Sequence, residues 1–418
     1  MNNTKKKGLG FLTFIVVNSI VGVGLLLVPP LLAQSGLISL AAIGVCGLGA
    51  SSIAYCISLL AQDVETIEPV SNLTRQNLPA FTSNIVDFLG VLNAFFCVLT
   101  LAYSLATHAL MASHYFNLPV TIHELAAIIL SSVYFIIYRS KGEARSRNYQ
   151  IATSVSMLFK VSLIAFCAYM FFELFSLDNF VMNATSLSNF EATSQACLKS
   201  VFILSGFEGA LQLTQIAKNP KRDIPIAMVA GTLLSALVFA TTVILICGSV
   251  NVRISNIADL DTISTFLLKL NYNRGIKVAV SLFAIVCTTS SLYIWLYSLL
   301  CSVSSLNKGI SNKSLSEISG DDRLISNGLM SELLSDERLV AAYLLCAYYA
   351  TILLLNACGI HSTLKLIDIC SKIGALYYLV FSLAALSKIF QRGVAMRLWQ
   401  KVVVIFSCVF CMYCLVIA

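Results

Sequence analysis

Polar and apolar residues of this chain do not alternate with a period of two, and they do not repeat as narrow stripes with a period of 3.6. They come in blocks. Eleven continuous apolar segments cover approximately residues 10–35, 38–62, 84–113, 122–138, 148–175, 196–217, 225–248, 275–303, 338–357, 363–388 and 400–418. Each is near the roughly 20 residues that a helix needs to cross the hydrocarbon layer. A transmembrane barrel would instead alternate in segments of about 10 residues. The connections are mostly short and polar, the longest being 63–83, 176–195, 249–274 and 304–337. No proline-rich or low-complexity linker divides them. The pattern predicts a single all-α polytopic membrane domain.

Composition agrees. Hydrophobic residues make up 58% of the 418 and charged residues 11%, against about 45–50% and about 25% in soluble chains. That is too little charge to cover a soluble surface. Disorder is excluded too, because it needs low hydrophobicity and high charge. The net charge of +7 does not point to nucleic acid, since the basic residues are scattered among short loops. Their sidedness is informative. With the N-terminus in the cytoplasm, 19 of the 27 Lys and Arg fall on the inner side and 6 on the outer, the bias that cytoplasmic loops carry. The expected location is therefore the cytoplasmic (inner) membrane, with lipid as surroundings. Lys5, Lys6 and Lys7 precede a run too long for a signal core, so the first segment reads as a retained span. Of the 14 cysteines, nearly all sit inside apolar runs, where cysteine behaves as a small hydrophobe. No metal-ligand spacing or cofactor motif is present, so neither is expected. No HExxH, GxSxG or P-loop context suggests an enzyme.

Two segments are interrupted in comparable ways. The first carries Gly22-Val23-Gly24 near its middle and Pro29-Pro30 beyond; the sixth carries Ser205-Gly206-Phe207-Glu208-Gly209. Glycine in mid-helix costs about 1 kcal/mol and lets the backbone leave helical geometry. Paired interruptions five spans apart are the pattern of a transporter site at the midplane. Spans 1–5 (10–175) and 6–10 (196–388) then form two inverted repeats, with span 11 (400–418) peripheral. A broken helix offers bare N–H groups at one end and bare carbonyls at the other. The positive end attracts a carboxylate and the negative end an ammonium, so one pair of breaks can grip a zwitterion. The competing reading is that Gly22 and Gly24 only permit close helix packing.

Two ionisable residues inside spans stand out, since a charge there costs about 2.5–3.5 kcal/mol and marks function by default. Glu208 sits beside the second break and can carry a proton, sense pH or pair with a cationic substrate. Lys160, about a dozen residues into span 5, is too deep to snorkel; it can exchange protons or fill the place of a bound cation. Either residue can instead serve a purely structural bond, Lys160 to a carbonyl or to Glu208. Thr288, Thr289 and Ser291 in span 8 offer oxygen ligands to sodium, or simply pack helices. Trp295 and Tyr297 are candidates to line the cavity, with packing in the core or against lipid as the equal alternative. Asp368 and Lys372 form an i,i+4 pair with a structural role. His108, His114 and His123 fall near the outer rim and receive no role.

The stretch Phe202-Ile203-Leu204-Ser205-Gly206-Phe207-Glu208-Gly209-Ala210, continuing to Lys218-Asn219-Pro220-Lys221-Arg222-Asp223-Ile224-Pro225-Ile226-Ala227, resembles the amino acid–polyamine–organocation (APC) transporter family. There a glycine–hydrophobe–glutamate break in span 6 leads into a KNPKRxIPxA loop. Ile20-Val21-Gly22-Val23-Gly24, followed by Pro29, resembles the family's span-1 GSG motif. The resemblance implies the five-plus-five inverted-repeat (LeuT-like) transporter fold. It implies that Ile20, Gly22, Val23 and Gly24 hold the substrate carboxylate, that Phe202 is an aromatic gate, that Ser205 and Gly206 line the pocket, and that Glu208 is tied to substrate release or proton dependence. By the same resemblance Lys160 stands where sodium-coupled relatives bind sodium. Four departures bear on the substrate and assembly. Val23 removes a hydroxyl from the carboxylate site, Phe202 replaces the tryptophan of arginine exchangers, and Gln215 replaces a second acidic residue. A usual twelfth span is missing; transport is expected to survive that, but a homodimer contact built there can be lost.

The expected function is secondary active transport of amino acids by alternating access, as an antiporter or a proton-coupled permease, with a small amino acid or amine and protons as partners. The alternatives are a sodium-coupled symporter and a non-transporting membrane receptor of the same fold.

Overall fold

The computed structural model describes residues 7–21, 24–36, 38–62, 72–75, 77–113, 121–139, 143–178, 190–207, 217–249, 281–296, 299–300, 302–303, 337–359, 363–391 and 396–417. Among them the regular elements are helices: α1 (Leu9–Ile20), α2 (Gly24–Gln34), α3 (Ile38–Ala61), α4 (Asn72–Arg75), α5 (Ala80–Ser113), α6 (Ile122–Arg139), α7 (Glu143–Leu174), α8 (Phe190–Ile203), α9 (Pro220–Ser249), α10 (Ser281–Leu296), α11 (Glu337–Ala357), α12 (Thr363–Phe390) and α13 (Leu398–Ile417). Five of the described helices contain stretches long and apolar enough to cross a membrane: Ile38–Ala61, Ile85–Leu110, Pro220–Ser249, Lys365–Phe390 and Leu398–Ile417. The others, apart from the four-residue α4, coincide with shorter apolar segments or with halves of broken ones.

The helices pack as a bundle whose outer surface is as oily as its core. Phe88, Leu158, Leu237, Leu353 and Val416 are exposed, which in water would be a liability and in lipid is the expected face. Hydroxyls in such an environment must bond within the protein. Thr100, Thr232, Ser235 and Thr242 do so by donating to the carbonyl four residues back in their own helix.

Chain direction alternates, as the contacts at the helix ends record. At one end, the Lys218 N–H donates to the Lys7 carbonyl (2.8 Å), tying the start of α1 to the approach to α9. At this end too the Lys388 ammonium caps the last turn of α3 through the Leu59 carbonyl (3.1 Å), a cation at a helix C-terminus. Gln391, just beyond α12, donates to Asn77 before α5. At the other end, the Ser176 N–H after α7 donates to the Gly248 carbonyl of α9, and Tyr103 near the end of α5 bonds His123 in the first turn of α6 (2.7 Å). The basic residues Lys7, Lys218 and Lys388 thus share one end.

Two helix starts explain motifs in the sequence. Asn219 and Asp223 bond reciprocally: the Asp223 N–H donates to the Asn219 carbonyl (2.7 Å), and the Asn219 N–H donates to the Asp223 carboxylate (3.3 Å). Pro220 opens α9, where its missing N–H costs nothing. Thr121 and Glu124 form a capping box at α6, with bonds of 2.8 and 3.3 Å.

Close approach between helices relies on small residues. A Cβ on Gly231 of α9 would lie 2.5 Å from Val16 Cγ1 of α1. Gly231→Ala is therefore expected to destabilise the protein by about 1–3 kcal/mol through overpacking, read as a lower unfolding temperature in detergent. An unchanged temperature would show that α1 and α9 are not held this closely.

Candidate functional site

The first apolar segment is two helices. α1 stops at Ile20, where the Val21 N–H closes the last turn on the Val17 carbonyl (2.7 Å), and α2 begins at Gly24. The sixth segment breaks at its own glycine. α8 stops at Ile203, the Ser205 N–H and hydroxyl both donate to the Phe202 carbonyl (3.3 and 2.7 Å), and Gly206 follows at φ 104°. The breaks face each other. A Cβ on Gly24 would meet Ile203 Cγ2 at 3.0 Å, and one on Gly206 would meet the Ser19 carbonyl oxygen at 3.3 Å.

Between them lies a cavity lined by Ser19, Ile20, Gly24, Cys97, Leu101, Phe202, Ile203, Ser205 and Trp295. Its electrostatics follow from the helix ends. Gly24, the first residue of α2, brings the positive end of that helix to its wall, and the C-terminal turns of α1 and α8 bring negative ends. A small molecule with a carboxylate and an ammonium is the natural complement.

Of the residues singled out in the sequence, Ile20, Gly24, Phe202 and Ser205 line this cavity. Gly206 abuts it, 3.3 Å from Ser19 and 3.4 Å from Trp295 by its added Cβ. Gly22, Val23 and Glu208 lie outside the described residues, as do Gln215 and Tyr297. Lys160 stands behind the first break rather than in the cavity. It is 1% exposed, and its ammonium donates to the Asn18 carbonyl and to Asn18 Oδ1, each at 2.7 Å. The carbonyl partner expected for Lys160 is therefore a peptide group in the last turn of α1.

Of the proposed sodium ligands of span 8, Thr288 and Thr289 donate to the carbonyls of Ala284 and Ile285 in their own helix (2.7 Å each). The Ser291 hydroxyl is buried without a hydrogen-bond partner among the described residues. Trp295, a candidate from the sequence, does line the cavity, while Cys97 and Leu101 are additions. They lie four apart on one face of α5, a spacing that any helix offers. His108, two further turns along α5 and close to the end of the apolar stretch Ile85–Leu110, is fully buried, and its Nδ1 donates to the Ser104 carbonyl (2.6 Å). Asp368 interacts with Lys199 of α8 as well as with Lys372. No group of three or more His, Cys, Asp or Glu suited to a metal occurs among the described residues.

No curated protein matches the chain. The family model described as amino acid permease matches residues 9–418, a span that includes both breaks, Lys160 and the loop before α9. The chain belongs to the amino acid permease family, all-α polytopic membrane proteins that transport amino acids.

Proposed function

We propose that this permease works by alternating access as an amino acid exchanger or a proton-coupled permease, and that it grips the α-carboxylate and α-ammonium of its substrate between the two breaks. The observation that carries the reading is the meeting of the breaks across one cavity, with a helix N-terminus at Gly24 and helix C-termini at Ile20 and Ile203. In this reading Gly22, Val23 and Gly24 receive the carboxylate, and Phe202, Ser205 and Gly206 close the pocket. Residues 10–175 and 196–388 are the two repeats that rock against each other. The N-terminus lies in the cytoplasm, with the basic ends of α1, α9 and α12 on the inner face of the cytoplasmic membrane.

Lys160 supports proton coupling or exchange over sodium coupling. Its ammonium already supplies a positive charge to the Asn18 carbonyl, and a sodium ion there would have to sit against it. Glu208 is the second proton carrier proposed.

Counterflow in proteoliposomes tests the reading. Vesicles preloaded with an amino acid are expected to take up the labelled compound against its gradient, equally well in sodium and in choline buffer. Failure with all twenty amino acids would sink the transport mechanism, and a requirement for sodium would favour the symporter. In the same assay Glu208→Gln is expected to flatten the response of uptake to external pH; an intact response would remove Glu208 from proton handling.

A further inference from the structure

α5 and α12 pack in a strict antiparallel register. A Cβ on Gly90 of α5 would touch Tyr377 of α12 at 3.3 Å, and one on Gly374 of α12 would touch Asn93 Oδ1 of α5 at 3.4 Å. One turn further along, the same register sets Cys97 against Cys370, and their sulfurs are 3.0 Å apart. The two residue numbers sum to the same value in all three pairs, so the thiols meet through the helix packing itself. Gly90 and Gly374 let the backbones come close, which a disulfide requires of its Cα atoms. The Cys370 thiol also lies 3.8 Å from Asn93 Oδ1. Other buried thiols meet main-chain oxygen instead, Cys46 at the Cys197 carbonyl and Cys287 at the Ser156 carbonyl.

The place of this pair gives it consequence. Cys97 lines the cavity between the two breaks, so one of the two paired cysteines belongs to its wall. α12 in turn touches the second broken helix: Ser371, next to Cys370, donates to the Leu198 carbonyl of α8 (3.2 Å), and Tyr378 stacks on Phe207 (5.1 Å between centroids). A bond between Cys97 and Cys370 ties the cavity wall to the helix that supports the sixth-span break.

We propose that Cys97 and Cys370 form an oxidisable dithiol site that switches the transporter off when a peroxide enters the cavity. The two thiols give up two electrons and two protons, the O–O bond of hydrogen peroxide breaks, and one disulfide and two waters are formed. A dithiol reductant reverses the step by exchange. The uptake readout rests on the transport reading above; formation of the cross-link does not.

The test uses the full chain in proteoliposomes treated with hydrogen peroxide, then with dithiothreitol. Mass spectrometry is expected to find a Cys97–Cys370 linked peptide after oxidation. Uptake is expected to fall about tenfold or more as the linked helices lose their relative motion, and to return on reduction. Cys370→Ser lies outside the cavity lining; it is expected to keep its uptake and to resist peroxide. If Cys370→Ser folds poorly, Cys370→Ala replaces it. The proposal is overturned if peroxide leaves both thiols unlinked, if the linked protein transports at the reduced protein's rate, or if the Cys370 variants remain as sensitive as the parent. If reduced protein takes up nothing but the linked peptide forms, the function reading has failed and the oxidisable site stands, its switch then read as a change in thermal unfolding.

Discussion

Lys160→Met is expected to cut amino acid uptake about tenfold or more, which corresponds to about 1.4 kcal/mol at the limiting step, and to abolish the dependence of uptake on a proton gradient. The side chain is fully buried and gives two hydrogen bonds of 2.7 Å, both to Asn18. Hydrogen bonds from a charged donor are worth about 1.5–3 kcal/mol each in net stability. These two hold the final turn of α1, which ends at Ile20. The ammonium therefore sits at the negative end of the half-helix, where the two residues after Asn18, Ser19 and Ile20, line the cavity. Methionine keeps the length of the apolar stem and removes the charge, which leaves the Asn18 carbonyl and amide oxygen without it. Among the described residues the Cys287 thiol of α10 is a titratable neighbour of the ammonium, and Cys287→Ser serves as the control that separates the two in the pH profile. A substrate-induced rise in unfolding temperature, if retained, shows that the variant still folds and binds. Unchanged uptake with an unchanged pH profile would reduce Lys160 to a packing element.

How much of this is legible in the sequence depends on whether a feature is local to the chain. The breaks are, because Gly22-Val23-Gly24 and Gly206 are backbone instructions carried by single residue types: α1 does end at Ile20, α2 does start at Gly24, and α8 gives way to Gly206 at positive φ. The buried charge at Lys160 is legible because a lysine a dozen residues into a span cannot reach water at either membrane surface; its partner stays open until the fold brings Asn18 to it. The loop Lys218-Asn219-Pro220-Lys221-Arg222-Asp223 is legible as a motif, and its reason is a helix start closed by Asn219 and Asp223. The cavity's third wall is not. Whether Cys97, Leu101 and Trp295 face the breaks or the lipid depends on how α5 and α10 are rotated about their axes. That rotation is fixed by contacts made hundreds of residues away, such as Asn93 against Gly374 and Phe159 against Phe283. An evenly apolar helix carries little periodic signal to reveal it.

Gly206→Ala is expected to abolish measurable uptake while the protein still folds. Two costs combine at this position. At φ 104° a side chain is strained by roughly 1–3 kcal/mol. The new Cβ also lands 3.3 Å from the Ser19 carbonyl oxygen and 3.4 Å from Trp295 Cζ2. The indole can give way by rotation, but the Ser19 oxygen is main chain in the last turn of α1, so relief requires the two breaks to move apart. Separating the helix ends by a few tenths of an ångström loosens the grip on both ends of the substrate, and misplacement on this scale is costly to catalysed steps. Gly359 supplies the comparison. It too has positive φ, 65°, in the turn between α11 and α12, but nothing lies within 4 Å of its added Cβ. Gly359→Ala therefore bears backbone strain of about 1–2 kcal/mol without touching the cavity. It is expected to lower the unfolding temperature and leave uptake near that of the parent. Equal uptake in the two variants would mean that contact between the breaks is not what moves the substrate. Loss in Gly206→Ala alone would place the working step where the first and sixth spans meet.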